Sequence, residues 1–95
     1  MPSTNGVRFE LGRVVATPGA LDALRRTHSG AWTYLRRHVV GDWGDLDTAD
    51  MAENELSLVA GFRLLSGYSL PDGTRIWIIT EADRSCTTLL LPEEY

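Results

Sequence analysis

The stretch Leu64-Leu65-Ser66-Gly67-Tyr68-Ser69-Leu70-Pro71-Asp72-Gly73-Thr74-Arg75-Ile76-Trp77-Ile78-Ile79-Thr80 decides the fold. From Phe62 onward, Leu64, Ser66, Tyr68 and Leu70 alternate with Arg63, Leu65, Gly67 and Ser69, the period of a half-buried strand. Pro71-Asp72-Gly73-Thr74 is a tight-turn sequence, because Pro presets φ and Gly accepts backbone that other residues resist. Arg75–Thr80 then reads as a second strand, with Trp77 and Ile79 on one face and Ile76 and Ile78 on the other. Glu81-Ala82-Asp83-Arg84 is a short polar connection, and the β-branched and aliphatic run Ser85–Leu91 is a third strand ended by Pro92. Two successive short connections imply an antiparallel three-stranded meander.

Upstream the pattern changes. Val7, Phe9 and Leu11 alternate with Arg8 and Glu10, which predicts a first strand joining an edge of the meander. Gly12 interrupts it as a bulge before Val14 and Val15. Thr17-Pro18 starts a helix, a hydroxyl cap followed by Pro at the first helical position, with Ala20, Leu21 and Leu24 as its apolar side. Ser29-Gly30 ends it. A second helix is predicted over Ala31–Val40, with Trp32, Leu35 and Val39 on one face, Arg36 and Arg37 in the last turn and Gly41 as its C-cap. Gly41-Asp42-Trp43-Gly44-Asp45-Leu46 is a turn, and Asp47 or Thr48 caps a third helix running to Ala60. Met51, Leu58 and Val59 are its expected inward residues, and Gly61 stops it. The order β-α-α-α-β-β-β predicts an α+β domain, an antiparallel three- to four-stranded sheet with helices packed on one face. Residues 1–6 read as a flexible leader and residues 7–95 as a single α+β domain.

The chain has 95 residues, 9 basic residues that are all Arg, 13 acidic residues and a formal net charge of −4. A chain this short buries about 64% of its unfolded surface, enough for one small core and too little for a dinucleotide-binding sheet or a TIM barrel. Its apolar runs fall far short of the roughly 20 residues of a membrane span. Met1–Gly6 lacks the apolar core of a signal peptide, so the expected location is cytoplasmic. Cys86 is the lone cysteine, which excludes an internal disulfide and a cysteine-based zinc site; it reads as a small buried strand residue. An acidic chain is a poor generic nucleic-acid binder, since phosphate contacts dominate that affinity. The charge is uneven, however. Arg25, Arg26, Arg36 and Arg37 precede Asp42, Asp45, Asp47, Asp50, Glu53 and Glu55. This reads either as two binding faces or, more simply, as two solvated helix faces.

The run Ile76-Trp77-Ile78-Ile79-Thr80-Glu81-Ala82-Asp83-Arg84-Ser85, followed by Thr87-Thr88-Leu89-Leu90-Leu91-Pro92-Glu93-Glu94-Tyr95, resembles a family of short, uncharacterised bacterial proteins called plasmid-related protein. Thr17-Pro18-Gly19-Ala20-Leu21, His38, Gly41–Leu46 and Leu64-Leu65-Ser66-Gly67-Tyr68 extend the resemblance over roughly residues 9–95. It implies a gene carried on plasmids and integrative elements. Similar proteins are sometimes labelled type I restriction–modification subunits, but this chain has no Asn-Pro-Pro-Tyr segment and no Gly-rich loop between a strand and a helix, as a methyltransferase would require.

Three constellations are candidates for chemistry. His38 with Asp42, beside Trp43, offers a general base near a carboxylate; the simpler reading is a histidine at a helix end and a tryptophan core anchor. Asp42, Asp45, Asp47 and Asp50 lack the spacing of a calcium loop, so no metal site is expected. The connection bearing Glu81, Asp83 and Arg84 is either a polar recognition tip, with Arg84 as a bidentate clamp, or a self-satisfied turn in which Asp83 caps backbone amides and Arg84 pairs with Glu81 or Asp83. His38, Arg63 or Arg84, Tyr68 and Thr87 together would suit a small metal-independent ribonuclease, a fold-level analogy. Leu91–Tyr95 either packs on the domain or completes a partner's sheet edge.

The leading expectation is a small non-enzymatic accessory protein of mobile elements that binds another protein, in defence or anti-defence, without cofactor, metal or membrane. Asp42, Trp43, Asp45, Glu81, Asp83 and Arg84 are its expected binding residues, and the acidic stretch Asp42–Glu55 would mimic nucleic acid. The alternatives are a ribonuclease-type toxin using His38 and Arg84 with Tyr68 and Thr87, and a homodimer joined through an exposed strand edge.

Overall fold

The computed structural model describes residues 6–95. Of the expected leader, residues 1–5 lie outside that range; Gly6 sits beside Val40. The chain is α+β. Its elements are β1 (Arg13–Ala16), α1 (Pro18–Arg26), α2 (Ala31–Val39), α3 (Thr48–Ala60), β2 (Leu64–Ser69), β3 (Arg75–Thr80) and β4 (Cys86–Leu90), followed by a 3-10 turn over Pro92–Glu94. The strands form one sheet in the order β1-β4-β3-β2.

β2, β3 and β4 are the antiparallel meander the turn sequences predict, with Ser66 opposite Ile78 and Ile78 opposite Leu89. The fourth strand departs from expectation twice. It is Arg13–Ala16, not the alternating Val7–Leu11 segment, and it pairs with β4 in parallel, Val15 opposite Thr88. The sheet is therefore mixed. Three helices and two strands separate β1 from β4, so no hairpin forces the antiparallel sense. Gly12 sets the boundary. It has φ +66, and a Cβ there would lie 2.4 Å from the Ser85 backbone, a close approach that only glycine permits. Before it, Arg8 N–H donates to the Val39 carbonyl at 2.9 Å and Phe9 turns into the core.

The inward face of the sheet follows the period of two. Tyr68, Ile76, Ile78 and Leu89 form the core with Ala20, Ala23 and Leu24 of α1 and Tyr34 and Leu35 of α2. Thr17 caps α1 as predicted, its Oγ1 accepting from Ala20 N–H at 3.2 Å; Asp47 caps α3 by accepting from Asp50 N–H at 2.8 Å. The inward faces of all three helices differ from expectation. α1 buries Ala20, Ala23 and Leu24, leaving Leu21 55% exposed. α2 buries Tyr34, Leu35 and His38, leaving Trp32 59% exposed. α3 buries Asn54 and Ser57 and tucks Met51 and Leu58 against Phe9, Trp43 and Leu64, while Val59 stands 88% exposed.

α3 does not lie over the sheet but along the β2 edge. Asn54 Oδ1 accepts from Leu65 N–H at 3.0 Å and its Nδ2 donates to Leu65 O at 2.6 Å. Farther along the same edge, Gly67 N–H donates to Trp43 O and Asp45 N–H donates to Gly67 O. This bridge brings Gly44 against Gly67. The outward-facing backbone of β2 is thus bonded within the chain at Leu65 and Gly67.

Candidate functional site

The residues that sequence patterns single out for catalysis come together in the core. His38 has no exposed surface. Its Nδ1 lies 2.5 Å from Ser66 Oγ and its Nε2 2.9 Å from Thr80 Oγ1. Thr80 Oγ1 lies 2.7 Å from Thr87 Oγ1, which donates to Leu11 O at 2.7 Å. The terminal carbonyl can only accept, and this orients the whole chain of bonds. Thr87 gives its proton to Leu11, Thr80 gives its own to Thr87, His38 Nε2–H donates to Thr80, and Ser66 donates to Nδ1. The imidazole is neutral. Burial, and then the nearby Arg84 guanidinium, hold its pKa down at about 3. Phe9 meets the ring edge-on with centroids 5.1 Å apart, and Trp43 does so at 5.9 Å. A base with both nitrogens bonded and no accessible atom cannot take a proton from a substrate. The ribonuclease constellation therefore lacks a working base in this geometry.

Its other members are equally committed. Tyr68 is buried, its hydroxyl donates to Asp42 O at 2.6 Å, and burial raises its pKa to about 12. Arg84, at φ 61, donates from Nη1 to Phe62 O at 2.7 Å and Glu81 O at 3.1 Å, and from Nη2 to Ser57 O at 3.2 Å. It is a clamp between the β3–β4 turn and the end of α3. The expected pairing with the Glu81 or Asp83 carboxylate is replaced by these carbonyls; the Ser57 and Glu81 oxygens also accept backbone N–H bonds, so Arg84 uses their second lone pairs. Asp83 does cap the turn, accepting from Ser85 N–H and Oγ–H. Glu81 is exposed. Arg63 stacks over the Tyr95 ring and donates to its hydroxyl.

The acidic segment is largely tied up too. Asp42 accepts from Arg37 at 2.7 and 3.3 Å, which lowers its pKa. Asp45 accepts from Ser69 Oγ, and Glu55 accepts from both Arg8 nitrogens and from Trp43 Nε1. The Arg8 bond, then the Trp43 bond, lower the Glu55 pKa. Trp43 itself is only 4% exposed. Of the acidic stretch proposed as a nucleic-acid mimic, the Asp50 and Glu53 carboxylates have no partner among the described residues and line a cleft with Leu46 and Phe62. Arg25 and Arg26 pair with Asp22, and Arg26 also with Asp72, so the basic cluster is not an open cationic face.

An exposed apolar feature lies elsewhere. A groove of about 580 Å³ runs between residues 7–12 and α2, lined by Val7, Leu11, Trp32, Val39 and Val40, with Arg36 and Glu10 at its rim. Sequence reasoning placed Trp32 and Val39 inward with Leu35. Trp32 and Val39, with Arg36 between them, recur at helical spacing beside the buried Tyr34, Leu35 and His38, so a second stripe with apolar ends is left uncovered on α2. That second stripe was the available signal.

No group of His, Cys, Asp or Glu side chains among the described residues could hold a metal ion, and no helix there is long and apolar enough to cross a membrane. No known protein family, curated protein or solved structure matches the chain.

Proposed function

We propose that this chain is a non-enzymatic accessory protein of mobile genetic elements that acts by binding another protein through the groove between residues 7–12 and α2. The exposed Trp32 carries the reading. A tryptophan 59% open to solvent, beside Val7 at 50% and Val40 at 42%, is an unusual concentration of apolar surface on a small acidic protein. Trp and Arg are the residue types that most often dominate protein interfaces, and Arg36 lies one helical turn from Trp32. The polar groups that would be needed for catalysis are occupied inside the domain. The resemblance to plasmid-borne proteins supports the mobile-element setting, and defence or anti-defence is the corresponding use.

The test is affinity purification of the tagged chain from its native host beside the Trp32→Ala variant. A stoichiometric partner retained by the parent chain and lost by a folded Trp32→Ala supports the groove. Recovery of no partner, or of one held equally by both, overturns it. Expression in a heterologous bacterium addresses the toxin reading: growth is expected to be unaffected, and arrest relieved by His38→Ala would favour the ribonuclease instead.

A further inference from the structure

The chain treats the two edges of its sheet differently. At β2, Asn54 and the Trp43–Asp45 backbone occupy the outward groups. At β1, Arg13 N–H donates to Ser85 O and Thr17 N–H donates to Leu89 O, both at 2.9 Å. Strand alternation then turns the N–H and C=O of Val14 and Ala16 away from β4. No bond from a described residue outside the sheet reaches them. Arg13, Val14 and Val15 are all exposed, Val14 at 43%. Such an edge is a template for another strand.

We propose that β1 is a dimer seam, where a second copy of this chain lays its own β1 antiparallel and joins the two sheets into one. The free groups set the register. Val14 and Ala16 must exchange N–H···O bonds with Ala16 and Val14 of the second copy, which places Val15 against its own symmetry mate. Arg13 then falls opposite Thr17 of the second copy. Arg13, Val15 and Thr17 share one face, and the Thr17 hydroxyl is bonded to the Glu94 carboxylate, which also accepts from Gly19 and Leu91 N–H. Arg13 makes no ion pair among the described residues. Self-pairing therefore brings each Arg13 to a fixed, exposed carboxylate and keeps the two arginines at opposite ends of the seam. This complementarity singles out a second copy over an unrelated strand, and a two-fold seam closes on itself. The proposal uses residues other than Trp32 and Val40 and stands apart from the groove.

The experiment is light scattering over a wide dilution series, paired with hydrogen exchange of assigned amides. The expected particle has twice the 10.5 kDa chain mass, and the Val14 and Ala16 amides gain protection as it forms. Arg13→Glu, which sets two carboxylates together, and Val14→Pro, which deletes only an outward N–H, should each weaken the dimer by about tenfold or more. If Val14→Pro fails to fold by circular dichroism, Arg13→Glu decides. A monomer at every concentration, a dimer whose Val14 and Ala16 amides exchange freely, or a dimer untouched by Arg13→Glu overturns the seam.

Discussion

The Asn54 side chain bonds both polar groups of the Leu65 backbone, accepting at 3.0 Å and donating at 2.6 Å. A carboxamide is suited to this, because it presents a donor and an acceptor side by side. Asn54 is 4% exposed, so its loss leaves partly buried backbone groups without partners. Asn54→Ala is expected to cost about 2 kcal/mol, read as a lower urea midpoint. It should also raise light scattering with concentration, because it uncovers a strand edge. Asn54→Asp keeps the acceptor but sets an oxygen against Leu65 O, so it should be no more stable than Asn54→Ala.

The buried His38 makes stability depend on pH from just below neutrality down into the range where carboxylates titrate. Its pKa is lowered from 6.5 to about 3 by burial and by Arg84. The neutral form is the folded form, so this contribution is complete above pH 6.5 and is lost as pH falls from 6.5 toward 3. Each pH unit in that window costs about 1.4 kcal/mol. Moving from about pH 7.5 to about pH 5 should therefore remove about 2 kcal/mol, measured by urea unfolding at the two pH values. A His38→Gln variant should be less stable at neutral pH and show little change across the same interval.

Gly44 and Gly73 both have left-handed φ, +80 and +88, but only Gly44 is crowded. A Cβ at Gly44 would lie 2.0 Å from Gly67 O, whereas one at Gly73 meets nothing within 4 Å. Gly73→Ala should cost about 1 kcal/mol, the backbone preference alone. Gly44→Ala should cost more than about 3 kcal/mol, since the bridge to Gly67 must open as well. Thermal unfolding of the two variants side by side measures the difference.

Arg84 reaches three carbonyls with one guanidinium, which a lysine's single ammonium cannot match. Arg84→Ala is expected to lose about 2 kcal/mol, and Arg84→Lys to recover less than half of it. Arg84→Gly relieves the φ of 61 and should therefore be slightly more stable than Arg84→Ala. Urea unfolding of the three variants tests the order. The ribonuclease role would instead show as lost RNA cleavage at unchanged stability.

The meander was legible because its signals are local. Alternation at Leu64–Leu70, the Pro71–Thr74 turn and the aliphatic runs at Ile76–Ile79 and Leu89–Leu91 act over a few residues each. The caps at Thr17, Asp47 and Gly61 were legible for the same reason; α2 ends at Val39 with Val40 as its cap, one residue before the expected Gly41. The alternation at Val7–Leu11 misled because it records only which side of an extended segment is buried. Phe9 is buried against His38 and Trp43, and nothing in that pattern says whether a neighbouring strand supplies hydrogen bonds. Trp32 misled because a helix with two apolar stripes does not declare which one meets the core.

Local chemistry in the chain determined the α+β content, the meander and most helix ends. Only the tertiary structure decided the parallel pairing of β1, the closed β2 edge and the role of His38. Ser66, Thr80 and Thr87 already stood at inward positions of their strands, an unusual place for hydroxyls. The chain order does not reveal that one imidazole and the Leu11 carbonyl satisfy all three, because those partners are up to 76 residues apart. Hydrogen bonds between distant segments depend on where the packed core sets them down, and that placement is the joint result of every apolar side chain at once.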